Sequence, residues 1–441
     1  MHTSERRAPG AFAAICFLVL GICGARDLGG QDTYVSAGDW RQWGGPDRNF
    51  VADARDLADS WGENGPATLW SRPLGLGHSS IVVDDGMLYT LYRPGGQVSR
   101  NGPWEPREIV IAMDAGTGET VWEHEYPSEP LNFSYGAGPH ATPLVVWDLV
   151  FTAGTNKQLF AFDKKSGDIV WSHDLVAEYG APPTLRRPAV KAGFAQSPLA
   201  WSDTIILQVG GPGQSVMAFR QSDGEVVWRS GDFLVAQSAP LLIEVDGQPQ
   251  VVVLGGQSVN GLDPDTGAIL WSHPHDTDGD MNNSMPVWGP DNLLFISSAY
   301  NQGSRVLRLS GSGGETAVEE VWFSNRLGLM FANAIRVGDH IYGTDGDFGP
   351  AFVTALDVRT GEVAWQERGF GRSSFVHAGD KTILIDEDGD LALARLSPDG
   401  MELLARAPIF DTTSWTVPTL VGTTLYARDR EKIVALDLGQ H

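Results

Sequence analysis

The 441-residue chain predicts an all-β fold, an eight-bladed β-propeller of four-stranded antiparallel blades. Three observations predict it. A phrase recurs down the sequence, with an apolar or small pair, an Asp, a turn ending in Gly, an acid, and a Trp four residues after the Gly. Short apolar runs of strand length precede each copy. Incomplete copies at the two ends supply each other's missing parts. Self-similarity at a spacing of 40–50 residues marks a repeat architecture before any site is considered.

The best copies are Asp114…Gly118-Glu119…Trp122, Asp163…Gly167-Asp168…Trp171, Arg220…Gly224-Glu225…Trp228, Asp263…Gly267…Trp271 and Asp357…Gly361-Glu362…Trp365. Two weaker copies fill the gaps. Leu309-Ser310 with Val321-Trp322 is stretched by a Gly/Ser insertion, and Leu396-Ser397 with Leu403-Leu404 has lost its Trp. Ala435-Leu436-Asp437 ends the series without a Trp, and the missing half stands near the start as Ala67 to Trp70. The positions equivalent to the Asp are thus 114, 163, 220, 263, 310, 357, 397 and 437, which makes eight units 40 to 57 residues apart.

Each unit reads as strands. Ser80 to Val83 precedes Met87 to Tyr92, and Pro143 to Trp147 precedes Leu149 to Thr152. Thr204 to Val209, Gln250 to Leu254 and Lys381 to Ile385 are later examples. Asp-Gly, Gly-Gly and Pro-Gly punctuation bounds these runs, which is the signal of strands joined by hairpins. No long segment of the mature chain carries helical periodicity. Four strands per unit, repeated, is a propeller blade. A strand around Trp70 completing the unit that ends at Asp437 would shut the ring and leave no open sheet edge.

The phrase has a mechanical reason. Its Asp bonds the backbone of the following turn, and its Gly supplies the positive φ that a bulged hairpin needs. Its Trp belongs on the outer strand, buried against the next blade. His124, His173 and His273 each follow such a Trp by two residues. Repeats scatter them around a ring, so a structural role is expected rather than metal binding.

Composition narrows the function. Formal net charge is −24, which argues against nucleic-acid binding because phosphate neutralisation needs a basic face. Arg6 and Arg7 precede an apolar run from Ala11 to Ile22, too short to span a bilayer as a mature helix and typical of an export signal. Cleavage is expected after Ala25, giving a periplasmic or secreted protein with no transmembrane segment. The competing reading is a lipoprotein anchored through Cys23. Cys16 and Cys23 are the only cysteines, so the mature chain lacks a disulfide, a thiolate nucleophile and covalent haem attachment. Residues 1–25 are therefore read as the signal peptide, 26–66 as an aromatic arm packed on the ring, and 67–441 as the propeller. Trp40, Trp43 and Trp61 in the arm are too apolar to be left in water.

The repeated Ala-Leu-Asp-x-x-Thr-Gly-Glu-x-x-Trp phrase resembles the repeat of the pyrroloquinoline-quinone (PQQ) type β-propellers from about Ala67 to Leu438. The opening Trp40 to Asp47 and the ending Tyr426 to Leu438 are similar to exported bacterial proteins carrying this repeat. Quinoprotein dehydrogenases and the lipoprotein scaffold of the outer-membrane β-barrel assembly machinery share the architecture. The resemblance implies an eight-bladed ring, with PQQ and Ca²⁺ as the cofactors the dehydrogenase branch uses. Those dehydrogenases typically hold the quinone under a disulfide of adjacent cysteines. They carry a Glu/Asn/Asp calcium-and-base set that does not align onto specific positions here.

Candidate site residues come from the polar positions before each innermost strand. They are His78, Ser79, His140, Thr142, Gln196, Ser197, Gln237, Ser238, Asn283, Ser284, Asn333, Ser374 and Trp415. A ring would present them at one height as a collar of neutral donors and acceptors around the channel mouth. Such a collar either binds a polar or planar ligand or bonds only backbone and water. No nucleophile–base–acid trio stands out. Asp276, Asp278, Asp280 and Asn282 form a denser oxygen cluster, a candidate Ca²⁺ loop that is not an EF-hand. The segment from Arg93 to Arg107 reads as an insertion in the first blade. The function expected is a monomeric, exported, non-catalytic propeller that binds a protein partner or a polar small molecule. The alternatives are a PQQ-dependent oxidoreductase and an outer-membrane assembly scaffold.

Overall fold

A computed structural model of the chain describes residues 39–62, 64–95, 104–131, 135–184, 193–347 and 349–440. Residues 1–25, expected from the sequence to be an export signal and holding both cysteines, lie outside the described residues, as do residues 26–38 of the arm and residues 96–103 of the blade 1 insertion.

Eight four-stranded antiparallel sheets follow one another along the chain. Blade 1 runs outward through Val82–Asp84, Met87–Tyr92, Arg107–Asp114 and Thr120–Pro127. Blades 2 to 7 begin at the inner strands Leu144–Val146, Leu199–Trp201, Leu241–Val245, Val287–Gly289, Ile335–Val337 and Ser373–Ala378. Blade 8 contains Thr419–Val421, Thr424–Arg428 and Lys432–Asp437, with Ala67–Pro73 as its outermost strand. The register pairs Ala67 with Asp437 and Trp70 with Ala435, so the ring closes through the predicted seam. The one described α-helix is the single turn Leu175–Tyr179.

The repeated phrase is the joint between blades. Asp114 Oδ1 accepts from the backbone N–H of Gly116 and Thr117 at 3.0 and 2.8 Å, fixing the turn. Gly118 then sits at φ 73° with its α-carbon against the Trp70 ring of the preceding blade; a Cβ there would lie 2.7 Å from the indole. The indole of Trp70 donates to the Ala115 carbonyl at 2.9 Å. The same bond recurs from Trp122 to Lys164, Trp171 to Gln221, Trp228 to Pro264 and Trp322 to Val358, at 2.8 to 3.0 Å. The Gly is thus required twice, for its left-handed backbone and as the flat seat for an aromatic ring. Trp271 departs from the rule because blade 5 offers no such turn. Its long hairpin strands, Gly303–Ser312 and Glu315–Ser324, replace the phrase, and Trp271 donates instead to Gln250 Oε1 at 2.7 Å.

The histidines that follow these tryptophans stay in separate blades. His173 bonds Glu178 and the Gly224 carbonyl, His273 lies 3.5 Å from Glu320, and His124 packs tilted against Phe160 and Phe162.

The described part of the arm enters the channel and runs along the innermost strands. Trp40 bridges Val83 of blade 1, and the Arg41 carbonyl accepts from Val145 of blade 2 at 2.8 Å. Arg48 donates to the Pro198 carbonyl of blade 3 at 3.1 Å. Val51–Ala52 then adds to blade 7 as a fifth, parallel strand, pairing Val51 with His377. Trp40 and Phe50 are buried, and Trp43 meets Phe50 edge-on at 5.3 Å. Beyond it, the Ala58 N–H donates to the Leu438 carbonyl at 2.8 Å.

The blade 1 insertion is anchored by a buried pair at its base. Arg93 and Glu108 are both fully enclosed and meet at 2.9 Å. Glu108 also accepts from Tyr126 Oη at 2.9 Å and from the Thr155 N–H of blade 2 at 3.0 Å.

Candidate functional site: a neutral cavity at the channel mouth

The collar positions fall into two overlapping sets, and at Gln237-Ser238 and Asn283-Ser284 the two neighbours point opposite ways, as in an extended chain. One set staples neighbouring blades. The Ser80 N–H donates to Thr142 Oγ1 at 3.1 Å and the Thr142 N–H to Ser197 Oγ at 2.9 Å. Gln196 reaches the Ala236 carbonyl. Ser238 Oγ donates to the Ser284 carbonyl at 3.2 Å, and Ser284 Oγ to the Ala332 carbonyl at 2.7 Å. Asn333 bonds both the C=O and the N–H of Phe375, at 2.8 and 2.9 Å. Ser80 Oγ closes the circle by donating to the Val417 carbonyl of blade 8 at 2.6 Å. Ser79 is buried within blade 1, accepting from the Leu91 N–H at 3.3 Å, and Ser374 is buried in the inner strand of blade 7.

The other set faces the axis. His78, His140, Ser197, Gln237, Asn283 and Trp415 line a cavity with about 940 Å³ of empty space, counting the part open to solvent. Trp43 of the arm also lines it, on the side where the arm occupies the channel, and so forms its floor. Phe194, Met281, Phe331 and Tyr135 complete the apolar walls. Sequence reasoning missed these four because they stand on inter-blade connections outside the repeat. Only the aromatic character of Tyr135 and Phe331, in loops otherwise rich in Gly and Asn, marked them. Tyr135 joins the roof: its hydroxyl lies 3.0 Å from that of Tyr300, and its ring is 5.9 Å from Phe331 and 6.1 Å from Trp415. Phe331 and Trp415 meet at 4.5 Å.

No lining residue is ionised at neutral pH. Burial pushes His78 well below its usual range, with His140 and Arg430 adding to the effect, and brings His140 down to about 4. Arg430 packs over the Trp415 ring at 4.8 Å and donates to the Tyr135 carbonyl at 2.7 Å and to His78 Nε2 at 3.2 Å. His78 Nε2 also lies 3.1 Å from the Tyr135 carbonyl oxygen, so it faces a donor and an acceptor at once and either tautomer fits there, leaving Nδ1 to donate or to accept. That Nδ1 has no protein partner, nor do either end of the Gln237 amide or Asn283 Oδ1. The Asn283 amide nitrogen is engaged with the Met330 carbonyl at 2.8 Å.

The acidic loop spreads its oxygens over separate partners. Asp278 accepts from Asn301 at 2.7 Å and Asp280 from Gln257 at 3.0 Å. Asn282 is buried, donating to the Gly255 carbonyl at 2.7 Å and accepting from Ser298 at 2.6 Å. Asp276 is exposed. Among the described residues, no three His, Cys, Asp or Glu side chains converge as a metal site.

The cavity fits a Ca²⁺-bound quinone poorly. Its lining carries no carboxylate, whereas Ca²⁺ is held by several oxygen ligands, commonly Asp and Glu.

An eight-bladed ring with this joint and this collar defines the chain as a PQQ-like repeat β-propeller. It belongs to the family described as outer membrane protein assembly factor BamB, whose model matches residues 106–367. It is similar to outer membrane protein assembly factor BamB of Yersinia pestis, with 22% identity over 371 residues that cover 83% of this chain and 77% of the relative. Among solved structures, BamB from Moraxella catarrhalis superposes with a TM-score of 0.55 at 17% identity, covering 85% of this chain and 98% of that one. Quinohemoprotein alcohol dehydrogenase from Comamonas testosteroni gives 0.58 at 13% identity, covering 92% and 81%. At such identities these structural likenesses speak for the ring alone. Among the described residues, no helix is long and apolar enough to cross a membrane.

Proposed function

We propose that the protein is an exported, monomeric, non-catalytic propeller that works by binding. Residues 1–25 direct export, with cleavage after Ala25 and lipidation of Cys23 as the alternative. Residues 26–66 form the arm and 67–441 the ring. Partner proteins engage the loops around the channel, in a scaffold role in outer-membrane protein assembly like that named for its relatives. The cavity holds a polar, uncharged ligand. The observation that carries this reading over an oxidoreductase is the lining, with aromatic walls, neutral amides and two neutral imidazoles but no carboxylate to hold a cation or serve as a base.

Two measurements test it. Purified protein mixed with PQQ and Ca²⁺ is expected to retain no quinone absorbance and to show no dye-linked oxidation of alcohols or sugars; retention with turnover overturns the non-catalytic reading. Deleting the gene in its host is expected to lower the folded fraction of outer-membrane β-barrel proteins, scored by heat-modifiable gel mobility. Unchanged levels overturn the scaffold role.

A further inference from the structure

The channel-mouth cavity combines three features that together select a ligand class. Its walls are aromatic on several sides, with Trp415 and Phe331 in contact at 4.5 Å and Trp43 as the floor. Its unpartnered polar atoms are of both kinds: the Gln237 NH₂ donates, Gln237 Oε1 and Asn283 Oδ1 accept, and His78 Nδ1 does either according to its tautomer. Its nearest cation, Arg430, is already occupied by Trp415, the Tyr135 carbonyl and His78.

A carboxylate or phosphate ligand would find no guanidinium or ammonium in the lining, and an ammonium ligand no carboxylate. Burying either charge there is costly. A hydrocarbon would leave four polar atoms unsatisfied, each at a real free-energy cost. What matches is a compact molecule with hydroxyls, each both donor and acceptor, around an apolar C–H face that lies on an aromatic ring. We propose that this cavity is a binding site for a neutral saccharide of one or two rings, bonded by His78, Gln237 and Asn283 and stacked against Trp415 or Trp43. The assignment rests on the binding reading above and names the chemistry of its ligand.

The test uses the full mature chain with glucose, N-acetylglucosamine and maltose as probes, and glucuronate and glucosamine as anionic and cationic analogues of the same size. Calorimetry is expected to show saturable binding of at least one neutral sugar, with Kd about 1 mM or tighter, and binding of the charged analogues at least tenfold weaker. Gln237→Leu keeps the volume, removes both polar ends and is expected to weaken binding at least tenfold. Should that variant fail to fold, the ¹³C-methyl resonance of Met281, a lining residue, provides a readout in the unaltered protein. It is expected to shift on titration with the sugar that binds. The proposal is overturned by an absence of saturable binding for all three neutral sugars or by equal binding of a charged analogue. Undiminished affinity in a folded Gln237→Leu, or an unmoved Met281 methyl, overturns it as well. Loss of the saccharide result with a positive gene-deletion result removes only the ligand assignment, and the reverse removes only the scaffold role.

Discussion

The indole of Trp122 rests directly on Gly167 of the following blade: a Cβ at Gly167 would fall 2.6 Å from the ring, while Nε1 donates to the Lys164 carbonyl at 3.0 Å. Gly167→Ala therefore meets two penalties, the left-handed backbone at φ 75° and the collision with the ring. Gly86 has the same φ with open space where its Cβ would be. Gly86→Ala is expected to cost about 1 kcal/mol and Gly167→Ala about 3 kcal/mol, because the ring must also move. Equal denaturation midpoints for the two variants would contradict the seat.

Asn333 clamps blade 6 to blade 7 by bonding both polar groups of the Phe375 backbone. Asn333→Ala leaves a buried N–H and a buried C=O without partners and is expected to cost about 2–3 kcal/mol. Asn333→Asp puts an acceptor opposite the Phe375 carbonyl and is expected to be worse at neutral pH. Urea unfolding curves of the two variants check the order.

Arg93 and Glu108 form an enclosed pair at the base of the blade 1 insertion. Breaking it with Glu108→Ala strands a buried guanidinium and removes the partner of Tyr126 and Thr155, at an expected cost of about 3–5 kcal/mol. Arg93→Met combined with Glu108→Leu is expected to recover more than half of that loss. A double variant as unstable as the single one would show that the charges, not the packing, hold this corner.

His275 is buried, 3.0 Å from Ser298 Oγ, and its pKa is lowered to about 3 by burial, then by Arg305 and His273. His140 is lowered to about 4. Each is neutral in the folded state and regains an ordinary affinity for protons when unfolded. Their contribution is complete above the unfolded value of about 6.5 and drains away as pH falls toward 4 and then 3. Stability is expected to decline across that window, and His275→Gln is expected to flatten the decline between pH 6.5 and 4. A profile unaltered by the substitution would remove His275 from the account.

The ring was legible from residues because its joint is local. The Asp, the Gly and the Trp of each phrase lie within nine residues, and the same short-range needs recur in each blade. Closure by Trp70 was legible for the same reason, as a half-phrase lacking its complement. The collar was legible as a set of positions, but its division was not. Gln237 and Ser238, or Asn283 and Ser284, look alike in sequence and separate only once backbone direction turns one to the axis and the next to a neighbour. The floor was not legible. Trp43 was recognisable as an aromatic needing cover, yet its place depends on a two-residue parallel pairing of Val51–Ala52 with blade 7, which leaves no periodic trace. The acidic loop misled through composition, since Asn282 is committed to the Gly255 carbonyl and Ser298.

The seam between Ala67 and Asp437 sets the order in which this molecule can be finished. A nascent chain makes one side of that last sheet at the outset and must wait for nearly every other residue before the other side exists, so contacts of extreme sequence separation arrive last and fold slowly. Until then the strand Ala67–Pro73 is a lone ribbon with an unpaired edge, able to seek a stranger's backbone. A chain cut short anywhere before Lys432 is left with a ring that cannot latch.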